Sequence, residues 1–313
     1  MLARLQQFIV LAELALAAGC ALYFAQGGRS IWAGLAVLVL LFGLPAVLGL
    51  EFLLLGIFRR PSATPSPSVR ELVGAWRGEV AAAARVFGWL QPFRSNAEPD
   101  HLPAQPGGPR GVVLVHGLFC NRGIWTPWLR RLRTRGVPFS AVNLEPLFSS
   151  IDRYAAAIDS AVEQMARATG QPVLLVGHSM GGLAIRAWLD AFGADDRVHR
   201  VVTIATPHQG TWLARWAHTT NGRQMRLGSD WLRRLQAREP ASRQQRITCF
   251  FSDCDNIVFP AEVATLAGAD NRHLPGTGHV QMVFHAAVFD EVERWLATPA
   301  ARAAAQHALG PAQ

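Results

Sequence analysis

Ser179 stands in Gly177-His178-Ser179-Met180-Gly181-Gly182, directly after the apolar run Val173 to Val176 and directly before a helical pattern. A serine on a sharp strand-to-helix turn presents its hydroxyl at the end of the strand. Glycines on both flanks let the backbones approach, and the helix N-terminus beyond favours developing negative charge. That arrangement suits a nucleophile in acyl transfer. The alternative is an ordinary glycine-rich turn, and the strand and helix patterns on either side weigh against it.

A nucleophilic serine needs a base, and the base needs an acid to orient it. The downstream histidines are His199, His208, His218, His273, His279, His285 and His307. His279, in Leu274-Pro275-Gly276-Thr277-Gly278-His279-Val280, sits in a glycine-rich loop before a final helical pattern that ends near Trp295. His285 on that helix is its rival, and His208 is expected to line the pocket. The acid is sought in Ser252-Asp253-Cys254-Asp255-Asn256-Ile257-Val258-Phe259-Pro260, which directly follows an apolar run. Asp255, nearer the apolar Ile-Val-x-Pro anchor, is preferred over Asp253, which reads as a turn or cap residue. Acyl transfer also needs two preorganised N–H donors for the oxyanion. The tight turn after His116-Gly117 offers Leu118, and the residue after the serine offers Met180. His116 is expected to brace that turn, and His116, Phe119, His178 and His208 are the candidate pocket lining. The four cysteines show no metal-type spacing, and Cys249 and Cys254 are close enough for a bridge but read better as buried free thiols. No metal or organic cofactor is expected.

The elements that must position these residues read as α/β alternation. Short apolar runs at 111 to 115, 139 to 144, 173 to 176, 198 to 204 and 247 to 251 predict five strands, with helices over Ile151 to Ala168 and Leu183 to Ala191. Such a pattern predicts a mostly parallel sheet covered on both faces. The arginine-rich stretch 211 to 246 carries Trp212, Trp216 and Trp231 without a strand signal, and predicts a helical cap over the site, about 208 to 246 in all.

The amino-terminal sixty residues differ. Phe8 to Ala25 and Ile31 to Phe58 are apolar runs separated by Gln26-Gly27-Gly28-Arg29-Ser30, and about 20 helical residues cross a roughly 30 Å hydrocarbon core. They predict a transmembrane hairpin over residues 1–60. A cleaved signal fits poorly, because Glu13 interrupts the first run and a second follows at once. Glu13 and Glu51 are expected to pack against the partner helix or to titrate neutral. Arg4 before the first span, and Arg59, Arg60 and Arg70 after the second, outnumber Arg29 in the turn, which places both ends on the cytoplasmic side. Residues 61–109 read as a proline-rich linker, an amphipathic helix over Val69 to Leu90, and a second breaker-rich stretch at 99 to 109. That helix suits either the membrane interface or the catalytic part. The Ala-rich tail 298–313 is expected to be flexible. The net charge of +8 comes from arginine. With no nucleic-acid module present, anionic headgroups are the expected partner.

Residues 110–297 resemble the α/β-hydrolase superfamily, and within it bacterial lipases and related esterases. The matching segments are VLVHGL at 113–118, VNLEP at 142–146, VGHSMGG at 176–182, TIATPHQGT at 203–211, DNIVFP at 255–260 and PGTGHV at 275–280. The resemblance implies a triad of Ser179, Asp255 and His279, an oxyanion hole of the Leu118 and Met180 N–H groups, and a sheet that begins at the His-Gly strand. The amino-terminal hairpin departs from secreted lipases and puts extracellular fat digestion in doubt. The expected function is a serine carboxylester hydrolase of the lipase or esterase kind, multi-pass in a bacterial inner membrane. An acyl thioesterase, an acyltransferase or a non-catalytic membrane scaffold with this fold are the alternatives. Oligomeric state is not legible.

Overall fold

The computed structural model describes residues 1–59, 64–103 and 108–297. Parts of the two proline-rich stretches expected as linkers, and all of the tail expected at 298–313, lie outside the described residues.

Helix α1 (Leu2–Ala25) and helix α2 (Ile31–Phe58) form an antiparallel hairpin, and both are long and apolar enough to cross a membrane. Apolar residues run right round both helices, the pattern of a helix with no aqueous face. Helix α2 starts at Ser30, whose hydroxyl accepts from the Trp32 N–H at 3.2 Å, an ordinary N-cap. Its buried residues are Leu48, Phe52 and Leu55, a one-sided stripe near the end that docks on the rest of the protein. Glu13 is exposed on α1. Glu51, expected to pack against the partner helix, instead reaches the catalytic part, as described below.

Helix α3 (Val69–Arg85) begins with a reciprocal capping box between Ser68 and Glu71, which satisfies two orphan N–H groups at once. It continues through a π turn at Val86–Leu90 into a short helix at Gln91–Arg94. Ala75, Glu79, Ala83 and Val86 are buried, so of the two settings open to this helix it takes the one against the catalytic part.

Six parallel strands follow: β1 (Val112–Val115), β2 (Phe139–Val142), β3 (Val173–His178), β4 (Val198–Ile204), β5 (Ile247–Phe251) and β6 (Asp270–His273), in the order β2-β1-β3-β4-β5-β6. The chain enters at β1, steps outward to β2 and returns to β3. The crevice where strand order reverses therefore lies beyond the carboxyl ends of β1 and β3, where ligands bind in open α/β sheets. Side chains alternate between faces. Val113, Val115, Val173 and Leu175 pack with helices α5 (Ala155–Thr169) and α6 (Met180–Phe192), whereas Val112, Leu114, Leu174 and Val176 pack with α4 (Thr126–Thr134) and α8 (Ala286–Leu296). The sixth strand was not legible as one. Asp270-Asn271-Arg272-His273 has no apolar residue, and it is held at the sheet edge by backbone pairing with β5, where polar side chains are the rule.

Residues 212–244 form a 3-10 turn and short helices, among them α7 (Asp230–Arg238). A fully buried ion pair ties this segment to α6: Arg186 Nε donates to Glu239 Oε1 at 2.8 Å and its Nη2 to Oε2 at 2.6 Å. Cys20, Cys120, Cys249 and Cys254 are all free and buried.

Candidate active site

Ser179 joins β3 to α6 at φ 54° and ψ −127°, a left-handed conformation that costs a non-glycine residue about 1–3 kcal/mol. The turn is clamped on both sides. Its N–H donates to the Ile204 carbonyl at 2.8 Å, and its own carbonyl accepts from Thr206 Oγ1 at 3.0 Å. The close approach depends on glycine. A Cβ on Gly181 would lie 2.3 Å from the Val115 carbonyl oxygen, and one on Gly117 would lie 2.8 Å from Ser179 Cβ. The motif thus packs the β1 turn directly against the serine. Among the described residues, neither the Leu118 nor the Met180 N–H donates to a protein acceptor.

Asp255 and His279 meet in the loops after β5 and β6. His279 Nδ1 lies 3.0 Å and 3.1 Å from the two Asp255 oxygens. Asp255 Oδ1 also accepts the N–H groups of Ile257 and Val258 at 2.9 Å and 2.8 Å, an Asx turn that fixes the carboxylate. With Nδ1 engaged by the acid, Nε2 is the ring atom left for a serine hydroxyl. Burial works against the charged imidazolium, but the Asp255 charge, its hydrogen bond, and the charges of Glu79 and Glu51 outweigh it. The His279 pKa stands above the ordinary histidine value. Asp253 plays another part. Its Oδ1 accepts the Gly276 N–H at 3.0 Å and lies 3.2 Å from His273 Nε2. His285 caps α8, its Nδ1 accepting from the Ala287 N–H.

An apolar cavity of about 330 Å³ opens at Ser179, walled by Leu118, Phe119, Phe148, Leu213, Met225 and Val258 among others. The exposed rings of Phe119 and Phe148 meet edge to face at 5.4 Å. On the other side of the 117–121 loop, a second cavity of about 360 Å³ is bounded by Leu2 and Leu5 of α1 together with His116, Cys120 and Leu144. Of the four residues considered as lining, Phe119 walls the serine cavity and His116 walls the second one. The His116 ring braces the turn, with Nδ1 2.9 Å from the Gly117 carbonyl and Nε2 accepting the Leu144 N–H at 3.1 Å. Burial pushes its pKa down to about 4, so it stays neutral. The His178 ring sits behind His279, the two centroids 4.7 Å apart.

His208 corrects an expectation. Its ring lies 3.0 Å from Thr203 Oγ1 and 3.2 Å from Arg186 Nη1, buried beneath the Arg186–Glu239 pair and away from the cavity. A guanidinium that needs a second acceptor holds it there.

Three polar residues escaped the sequence reading. Glu79 of α3 is buried, and its carboxylate accepts the N–H groups of Val280 and Gln281 at 2.9 Å. Asn256 accepts the His279 N–H at 3.2 Å and donates to Glu51 of α2 at 2.6 Å. Gln6 of α1 accepts from Asn121 at 3.2 Å. The signal for Glu79 was present: it sits seven residues from both Leu72 and Val86, on the apolar stripe of its own helix.

The sequence pattern described as the Alpha/beta hydrolase family matches residues 112–308. The chain belongs to that family. Solved structures share this alpha/beta hydrolase's fold. Lipase BlEst2 of Bacillus licheniformis in its mature form has a TM-score of 0.55 at 18% identity, over 63% of this chain and 96% of that one. The propeptide form of BlEst2 gives 0.53 at 17%, over 64% of this chain and 53% of that one. A monoacylglycerol lipase of Paleococcus ferrophilus gives 0.41 at 18%, over 56% and 89% respectively. At such identities the likeness to the two BlEst2 structures speaks for the fold alone. No curated protein sequence matches the alpha/beta hydrolase described here.

Proposed function

We propose that this alpha/beta hydrolase is a membrane-anchored serine carboxylester hydrolase that cleaves acyl esters through an acyl-Ser179 intermediate. The observation that carries the reading is the strained serine turn at the mouth of an apolar cavity, with the hydrogen-bonded Asp255–His279 pair in the loops at the same end of the sheet. In this mechanism His279 Nε2 takes the Ser179 proton while Oγ attacks the ester carbonyl carbon. The Leu118 and Met180 N–H groups hold the oxyanion. The tetrahedral species collapses, and the alcohol leaves with the proton from His279. Water then attacks the acyl-enzyme by the same route, His279 taking and returning its proton, and the carboxylic acid departs. Asp255 holds the ring in the tautomer with the proton on Nδ1.

Three features support a lipid ester as substrate. The cavity is walled mainly by apolar side chains. The Phe119 carbonyl lies against Gln6 at the start of α1, and Trp212 stacks on Phe58 at the end of α2, ring centroids 4.0 Å apart. The two ends of the hairpin that lie together therefore bracket the cavity. At roughly 1.5 Å per residue, the 28 residues of α2 make about 42 Å of helix, longer than a ~30 Å hydrocarbon core requires. In this reading the two helices cross the bilayer, their surplus turns stand out on the cytoplasmic side, and the serine cavity is held at the headgroup level. The solved structures that share this fold include a lipase of Bacillus licheniformis.

The test is release of fatty acid from triacylglycerol, phospholipid, acyl-CoA and short p-nitrophenyl esters by membranes carrying the wild type beside Ser179→Ala. Turnover and fluorophosphonate labelling that vanish in the variant are expected, with long-chain lipid esters preferred. Equal background from both proteins, at equal expression, would overturn the reading in favour of a scaffold.

A further inference from the structure

Each of the three amino-terminal helices lays one polar side chain on one of the loops that carry the candidate catalytic groups. Gln6 of α1 meets Asn121 and the Phe119 carbonyl, in the loop after β1. Glu51 of α2 accepts from Asn256 Nδ2, and Asn256 Oδ1 in turn accepts the main-chain N–H of His279. Glu79 of α3 takes the next two N–H groups, those of Val280 and Gln281. Of three successive backbone donors, 279 to 281, two are thus satisfied directly by α3 and the first by Asn256, which Glu51 of α2 holds in turn; both helices lie outside the matched family region 112–308. The fit at Glu79 is tight, since a Cβ on Gly278 would lie 2.6 Å from Glu79 Oε2.

We propose that Glu51 of α2 and Glu79 of α3 are positioning residues for His279, so that the hairpin and its juxtamembrane helix complete the active site as well as anchoring it. The inference rests on the hydrolase reading above. It deepens that reading by making the membrane-embedded part of the chain a condition of catalytic competence. Two physical effects support it. Where three successive main-chain donors are each paired, a competing conformation of the loop leaves a buried N–H unsatisfied and is disfavoured, so the imidazole is held in place through its own backbone. Both carboxylates also stand close enough to add negative charge to the surroundings of the imidazolium that forms during catalysis. The titratable groups facing His279 are Asp255 from the acid loop, Glu79 from α3, Glu51 from α2 and His178 from the serine turn. Buried and beside His279, His178 is held neutral, its pKa well below the ordinary value, so the negative charges that face the ring are those of Asp255, Glu51 and, above its raised pKa of about 7, Glu79.

The experiment uses full-length protein in detergent-solubilised membranes with a short p-nitrophenyl ester, comparing wild type, Ser179→Ala, Glu51→Gln, Glu79→Gln and Glu79→Ala. The glutamine variants keep an acceptor oxygen and lose the charge. They are expected to retain kcat within about threefold at the pH optimum, and to move the acid limb of the kcat/KM profile to lower pH, because a histidine with less negative charge around it releases its proton sooner. Glu79→Ala loses the acceptor as well. It is expected to lower kcat about tenfold or more while KM changes less than twofold. Thermal denaturation of each variant, followed by fluorophosphonate labelling at Ser179, separates loop positioning from unfolding. Ser179-dependent turnover in the wild type, with an unmoved acid limb in both glutamine variants and unchanged kcat in Glu79→Ala, would overturn this inference alone. Absence of Ser179-dependent turnover in the wild type would overturn the hydrolase reading and this inference with it.

Discussion

One oxygen of Asp255 serves three donors: the N–H groups of Ile257 and Val258 and the Nδ1 of His279. Asp255→Asn keeps the acceptor for the two backbone groups but offers an NH2 where a second carboxylate oxygen met the ring, which turns the imidazole toward the wrong tautomer. A loss of about 10³–10⁴ in kcat is expected with little change in Tm, by analogy with the same change in a serine protease triad. Rates on a soluble ester beside a thermal scan check both halves. Glu79 makes a different kind of prediction. Burial first, resisted by the nearby His279 charge and its two backbone donors, pushes its pKa from 4.5 to about 7. Between those pH values the folded chain holds a proton that the unfolded chain has released, so stability falls as pH rises through the window and the loss is complete above about pH 7. The size is about 3 kcal/mol from that shift, and the raised pKa of His279 acts in the same direction. Tm measured from pH 5 to 8 should decline in the wild type and decline less in Glu79→Gln, whereas identical slopes would remove Glu79 as the source.

At the scale of elements, what was legible in the sequence followed periodicity and punctuation. The strand–Ser179–helix junction announced itself by apolar run, glycines and helical pattern, and the loops carrying Asp255 and His279 by their place after strands. The strand β6 had no such signal, because it is joined to β5 by backbone pairing and its four side chains are polar and only half-buried or exposed. Helix α3 was legible as amphipathic, but its role was not, because the polar residue on its apolar stripe has a partner 201 positions away. His208 was misplaced for the same reason, since the guanidinium that holds its ring comes from Arg186, on a helix earlier in the chain. The packing of elements also predicts the effect of a single methyl. Gly181→Ala must push the first turn of α6 off the β1 backbone, 2.3 Å from the new carbon. Because backbone and not a flexible side chain has to move, a destabilisation of at least about 1–3 kcal/mol is expected, with loss of fluorophosphonate labelling even where folded protein remains. Chemical denaturation and gel labelling measure the two effects separately.

The whole molecule is two apolar helices and a family domain joined at one end of a sheet, and the join is chemical as well as mechanical. Leu48, Phe52 and Leu55 bury the apolar side of the α2 terminus, and Phe58 stacks on Trp212, so the segment over the cavity leans on the hairpin. Replacing Phe58 by Ala should cost turnover of bilayer-presented long-chain esters by about tenfold while sparing a short soluble ester. A panel of chain lengths reads that ratio, and equal losses for both substrates would count against hairpin-guided delivery. The free thiols carry a further consequence. Cys120 lies two residues from Leu118, and Cys254 is next to Asp255. Burial raises both thiols to about 12 and that of Cys249, in β5, to about 11. Because the thiolate is the reactive form, alkylation of these sulfurs waits for their surroundings to open. The protein therefore carries its own clocks: the alkylation rates of Cys120 and Cys254 time the breathing of two different loops at the candidate site, with Cys249 in the sheet as the slow reference. A covalent inhibitor on Ser179 should slow the first two and leave the third unchanged.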